Sequence, residues 1–198
     1  FAFGMDITGL QTFVPFNTLS DWSWHSFPLP EGMRAEDYRP VVVETHGKKI
    51  AYELRNPDQP ELSEWLTKNP HRYNLGRIGF RLLREDGTEA REIDLGNARQ
   101  EIDLWTGVVY SRFELNRKEV KVRTVCHPDK DMIGVSLESE LLNDGNMSIY
   151  LDFPYPDGRY FKHYIGRYDT ISGHTSTFEK LAPNSVRIAR TMDDTHYY

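Results

Sequence analysis

The segment Ser20-Asp21-Trp22-Ser23-Trp24-His25-Ser26-Phe27-Pro28 holds the densest chemistry in the chain. Two tryptophans spaced two residues apart can stack on the apolar C–H face of a pyranose, with Asp21 and His25 beside them to meet hydroxyls. Serine and proline are too frequent there for a central strand, so the segment is expected to be a loop that displays its indoles. The competing reading is that one or both rings plug the end of a β-sandwich, because tryptophan is usually well buried. Further candidates for sugar contacts are His71, Arg72, Trp105 and Tyr155, although for His71 and Arg72 a hydrogen-bonded pair that closes the loop after the helix is the favoured reading.

Bond-breaking chemistry is harder to assemble. Glycoside hydrolysis needs two facing carboxyls roughly 5–10 Å apart. The acids near rings are Glu101 and Asp103 before Trp105, and Asp152 and Asp157 around Pro154-Tyr155-Pro156. Glu101 and Asp103 share one strand face, where exposed acids are ordinary, so no catalytic residue is assigned. The seven histidines lack a His-x-x-x-His spacing, and the single Cys126 can form neither a thiolate zinc site nor an internal disulfide. No metal and no cofactor are expected. Cys126 alternates with the apolar face of its strand, which predicts an inert buried thiol. Tyr155, Tyr160, Tyr164 and Tyr168 run among Arg159, Lys162 and Arg167, an aromatic-basic mixture that single-stranded nucleic acids favour. Against 24 Lys plus Arg stand 30 Asp plus Glu, a net charge of −6. That balance excludes duplex DNA and anionic membranes as partners and turns this segment into a loop packed on another domain. No apolar run approaches the ~20 residues of a membrane-spanning helix.

The elements that must position these residues follow from period-2 patterning. Aromatic residues make up 13% of the 198-residue chain, which suits the pleated surfaces of β-structure. Val109, Ser111, Phe113 and Leu115 share one face of a strand; after a turn at Asn116-Arg117-Lys118, Val120, Val122, Thr124 and Cys126 share the same face of the next. Further strands are predicted at Phe1–Ile7, Pro40–Thr45, Lys49–Leu54, Tyr73–Leu83, Glu101–Trp105, Ile133–Glu138, Met147–Phe153, Thr175–Glu179 and Ser185–Arg190. Ile133, Val135 and Leu137 are expected inward, and Met147, Ile149 and Leu151 continue the alternation. One helix is predicted over 60–68, with Pro60 and Glu61 in its first turn, Lys68 in its last, and Leu62, Trp65 and Leu66 as an i, i+3, i+4 stripe. The fold class is therefore all-β and mainly antiparallel, a large β-sandwich or supersandwich with one short helix near 60–68. No linker or repeat is visible, so residues 1–198 read as one domain. The opening Phe1-Ala2-Phe3-Gly4 reads as the middle of a strand, and the chain is expected to be a piece of a longer protein.

Several motifs in order resemble one group of proteins: Phe1-Ala2-Phe3-Gly4-Met5-Asp6-Ile7-Thr8-Gly9-Leu10-Gln11-Thr12-Phe13, the Trp22–Pro28 segment, Asn69-Pro70-His71-Arg72, Asp103-Leu104-Trp105-Thr106-Gly107, Cys126-His127-Pro128-Asp129 and Phe153-Pro154-Tyr155-Pro156. The set resembles the N-terminal β-supersandwich domain of bacterial and fungal glycoside hydrolases of the six-hairpin (α/α)6 superfamily. The resemblance implies a non-catalytic domain that packs on an (α/α)6 catalytic barrel of the same parent chain, with an oligo- or polysaccharide as partner. It implies a periplasmic or extracellular setting in a bacterium for that parent. The general acid and base of such enzymes sit on the barrel, so the catalytic pair is expected outside these residues. A Gly-Asn-Gly-like lead-in, usual in the group, is absent here. Two alternatives stay open: an independent carbohydrate-binding module, and a purely structural or oligomerisation domain.

Overall fold

The computed structural model describes residues 3–16, 18–52, 55–69, 71–156, 166–192 and 195–198, apart from the side chains of Ser23 and His71. Phe1, Ala2, Leu54, Pro70, Asp157, Arg159, Tyr160, Lys162 and Tyr164, named above, lie outside the described residues. The fold is all-β with one short helix. Its strands are β1 (Leu19–His25), β2 (Val41–Thr45), β3 (Lys48–Tyr52), β4 (His71–Asn74), β5 (Arg77–Leu82), β6 (Gly96–Asp103), β7 (Val108–Leu115), β8 (Lys118–Cys126), β9 (Ile133–Glu138), β10 (Met147–Asp152), β11 (His174–Ala182), β12 (Ser185–Met192) and β13 (Thr195–Tyr197), with helix α1 at Pro60–Lys68. The registers of β2–β3, β5–β10, β6–β7–β8–β9 and β11–β12–β13 are antiparallel throughout. Among the described residues no helix is long and apolar enough to cross a membrane.

The chain forms two compact units, residues 1–20 with 74–154 and residues 21–73 with 155–198. The first is a small sandwich. Its four-stranded sheet β6-β7-β8-β9 and two-stranded sheet β5-β10 share a core of Phe113, Leu115, Val120, Val122, Phe80, Leu82 and Met147, closed by Leu10 and Leu141. Each of these side chains contributes roughly 1.5–3 kcal/mol by leaving water. The β7–β8 hairpin turns at Asn116 and Arg117, both at positive φ (54° and 60°), the geometry that matches the right-handed twist of the strands.

Burial falls off on the edge strands β9 and β10, which overturns part of the inward pattern. Val135, Ile149 and Leu151 alternate as predicted yet are 39%, 53% and 51% exposed: Val135 and Ile149 sit opposite the buried Thr124 and Phe80, but on β9 and β10, which have a neighbouring strand on one side only. Cys126 is the last residue of β8, paired with the first residue of β9, and at this end of the sheet it is exposed rather than buried.

Residues 3–16 form no strand, although alternation predicts one up to Ile7. A buried carboxylate organises them instead. Asp6 Oδ1 accepts from the Thr8 amide (3.0 Å) and hydroxyl (2.6 Å), and Oδ2 accepts from the amides of Phe13 (2.6 Å) and Val14 (3.2 Å). The strand predicted across Tyr73–Leu83 is two, β4 and β5. At the break Gly76 sits at φ +97°, its amide capped by Asn74 Oδ1 (3.0 Å), where an added Cβ would lie 2.6 Å from the Asp152 carbonyl oxygen. β6 begins earlier than the pattern suggests and ends before Trp105, and β13 carries too little alternation to be read from three residues.

The second unit contains α1, the β2–β3 ribbon, the β11-β12-β13 sheet and most of the β1–β4 pair. α1 has the predicted bounds. Pro60 fixes φ at its first position, Leu62 is buried, and Lys68 Nζ pairs with Glu64 at 2.8 Å one turn back. Asn69 leaves the helix with extended backbone (φ −131°, ψ 149°).

Candidate functional site

The predicted indole loop is a strand. Residues 19–25 form β1, hydrogen-bonded to β4, so the serines that argued for a loop sit in an extended backbone satisfied by its neighbour. Alternation along β1 then sorts the candidate residues. Trp22 and Trp24 share one face, about 6.7 Å apart along the strand, and remain 50% and 49% exposed. His25 points to the opposite face and is 2% exposed. The structure therefore brings the two indoles together and separates them from the imidazole. Asp21 is exposed at the start of this segment, on the His25 side of the alternation.

β4 supplies the neighbours of both faces. The Arg72 guanidinium lies 5.1 Å from the Trp24 ring centroid, a cation–π contact that orients the indole and leaves a charged donor beside it. Trp22 meets the edge of Tyr197 at 6.0 Å, and Tyr197 in turn packs on Tyr73 at 5.3 Å. His71 occupies the first position of β4.

Behind the indoles lies a ring-lined interior that the sequence reading missed. The His25 ring packs against Phe27 (4.8 Å), Tyr73 (6.1 Å) and Tyr155 (6.3 Å), and Tyr155 lies 5.7 Å from His174. Arg190, 2% exposed, donates through Nη2 to His174 Nδ1 (2.6 Å) and through Nη1 to Ser176 Oγ (2.7 Å) and the Thr175 carbonyl (3.3 Å). A guanidinium has only donors, so His174 Nδ1 accepts, and Nε2 carries the proton that meets the Thr170 carbonyl at 2.6 Å. Burial raises the Tyr197 phenol above its ordinary pKa, with Arg190 opposing. The available signal was parity: Arg190 alternates with Ile188 and Met192 on one face of β12, an inward position for a cation.

The remaining candidates belong to the first unit, whereas the indole pair belongs to the second. Trp105 belongs to the first unit, at the tip of the β6–β7 hairpin, and is 93% exposed beside Leu104. Asp103 caps that tip, accepting from the Trp105 amide (2.9 Å) and the Thr106 hydroxyl (2.8 Å), and these hydrogen bonds hold its carboxyl below the ordinary value. That direction is opposite to what a general acid requires. Glu101 pairs with Arg99, and Asp152 pairs with Arg77 at 2.9 Å, so the described acids near rings serve turns and ion pairs. Among the described residues no three of His, Cys, Asp or Glu gather closely enough to hold a metal ion. No family model matches the chain, and neither does any curated protein or solved structure.

Proposed function

We propose that this chain is a non-catalytic β-domain of a carbohydrate-active protein, and that its β1–β4 edge binds sugar. The observation that carries the reading is the pair of half-exposed indoles on one strand face, with Arg72 beside Trp24. Stacked pyranoses need flat apolar faces at about the spacing of alternate strand residues, and a rigid strand holds them better than a loop would. His25 acts from behind, packing under the platform with Phe27 and Tyr73 rather than touching ligand. The engagement of Glu101, Asp103 and Asp152 in structural contacts supports binding over bond breaking. In the setting that the sequence resemblance implies, the partner is an (α/α)6 barrel of a glycoside hydrolase, and the platform walls part of its cleft.

A self-sufficient binding module is the second reading, favoured by the fact that Trp22, Trp24 and Arg72 all lie in one unit of this chain. Titrating the 198-residue chain with neutral oligosaccharides, followed by tryptophan fluorescence and calorimetry, separates the two. Saturable binding by the chain alone supports the module. Binding that appears only when a barrel is present supports the cleft-wall reading. A chain that self-associates through protected tryptophans and takes no sugar in either form overturns both.

A further inference from the structure

Two residues beyond β1, Phe27 and the prolines that follow it line an open cleft of about 380 Å³ together with α1. Phe27, Pro28 and Pro30 form one wall; Glu61, Glu64 and Trp65 form the other. The walls are tied to each other. The Phe27 amide donates to Asn69 Oδ1 (2.6 Å), the Trp65 indole N–H donates to the Phe27 carbonyl (2.9 Å), and Asn69 Nδ2 donates to the Trp65 carbonyl (2.7 Å). The first two bonds cross from residue 27 to residues 69 and 65 and the third ties Asn69 back to α1, so the cleft exists before any ligand arrives, and little ordering is needed on binding. They also consume the only side-chain donor of Trp65, which leaves its ring surface as what it offers to the cleft.

The polar lining selects the ligand class. Glu61 and Glu64, three residues apart, are neighbours on one side of α1. Lys68 Nζ at 2.8 Å and Arg55 at 3.5 Å fix the Glu64 carboxylate in place. Both of those cations are engaged by Glu64, so an anionic ligand would meet two acids with the neighbouring positive charge already paired. A purely apolar ligand would strip water from the carboxylates and give nothing back. A molecule with an apolar ring face and a rim of hydroxyl donors satisfies both walls, because hydroxyls donate well to carboxylates.

We propose that this cleft is a second saccharide subsite, separate from the Trp22–Trp24 platform, which takes one neutral hexopyranose unit. Trp65, Phe27 and the two prolines cover the C–H face of the sugar, and Glu61 and Glu64 accept from its hydroxyls. The choice of a sugar rests on the carbohydrate reading of the indole pair; the cleft and its walls do not.

The test follows the Trp65 indole N–H by NMR while the 198-residue chain is titrated with D-glucose, maltose, cellobiose and D-glucuronate. A saturating shift of that resonance is expected with at least one neutral sugar, and glucuronate should bind about tenfold or more weakly. The variant Glu61→Gln/Glu64→Gln, whose changes are on the surface, should keep its far-UV circular dichroism and weaken the cleft about tenfold. Trp22→Ala/Trp24→Ala should leave the Trp65 titration where it was. A Trp65 resonance that no neutral sugar moves, equal response to glucuronate, or an unaffected Glu61→Gln/Glu64→Gln variant overturns the subsite; so does saturation by a proline-rich peptide without any response to sugar. If Trp65 is silent while the Trp22–Trp24 pair still binds, only this subsite fails. If neither responds, the carbohydrate reading fails with it.

Discussion

Replacing Trp22 and Trp24 by alanine tests the platform most directly, and the structure sets the size of the effect. A tryptophan side chain offers roughly 250 Å² at most, and these two are 50% and 49% exposed, which leaves up to about 125 Å² of each open. A pyranose covers one face, roughly 60 Å² per ring, worth about 1.5 kcal/mol at ~25 cal/mol per Å². Each single alanine variant should therefore weaken binding of a bound oligosaccharide about tenfold. The double variant should lose between tenfold and a hundredfold, since the two rings are too close for strict additivity. Trp24→Ala also removes the partner of Arg72, a contact of about 0.5–1 kcal/mol, so part of its effect should reappear in Arg72→Gln. Trp22→Phe keeps a stacking face and should retain most of the affinity. The assay is isothermal calorimetry with the best oligosaccharide from the panel, with thermal melts run in parallel, because Trp22 also packs on Tyr197. Affinities unchanged within threefold across the alanine variants would refute the platform. So would a phenylalanine variant as impaired as the alanine one.

Three further outcomes follow from other parts of the molecule. Asp6→Asn leaves one amide nitrogen facing donors that now meet carboxylate oxygens, losing two charge-assisted hydrogen bonds and about 3 kcal/mol or more in urea denaturation; a loss under about 1 kcal/mol would show that this network does not hold residues 3–16. Gly76→Ala forces a left-handed residue against the Asp152 carbonyl and the Phe153 ring and should cost about 2–4 kcal/mol, read from the same denaturation midpoint; a neutral substitution would mean that the β4–β5 break relaxes freely. The phenol groups of Tyr197 and Tyr150 are raised by burial, so above the ordinary value of 10.0 the unfolded chain releases protons that the folded chain keeps. Stability should then fall as pH climbs from about 10, while below 10 these groups contribute no slope. Tyr197→Phe should flatten the fall, and tyrosinate absorbance that rises at the ordinary pH for every ring would contradict the burial.

Local chemistry was legible in the residues. The β7–β8 hairpin is written in alternation on both strands and in a turn whose Asn116 tolerates positive φ, so neither side needs a distant partner to be recognised. α1 is equally plain, because Pro60, Glu61, Leu62 and Lys68 act within three turns of one another. The break between β4 and β5 was not legible: alternation runs through Tyr73–Leu83, and only the approach of the Asp152 carbonyl explains why the chain bends at Gly76. Residues 3–16 failed for a similar reason, since the Asp6 carboxylate collects amides seven and eight positions away.

For the candidate site, sequence alone determined which residue types were available and that two indoles would stand two residues apart. It also determined that an all-β chain would hold them, because alternation is a property of neighbours along the backbone. Only the tertiary structure decided that β1 is a strand paired with β4, so that its period of two puts Trp22 and Trp24 on one face and His25 on the other. Only the fold could show which face is covered. His25 lies under Phe27, Tyr73 and Tyr155, the indoles stay half open beside Arg72, and Trp105 stands at the tip of a hairpin in the other unit. Exposure is set by what arrives from distant segments, and a pattern read along the chain carries no record of that arrival.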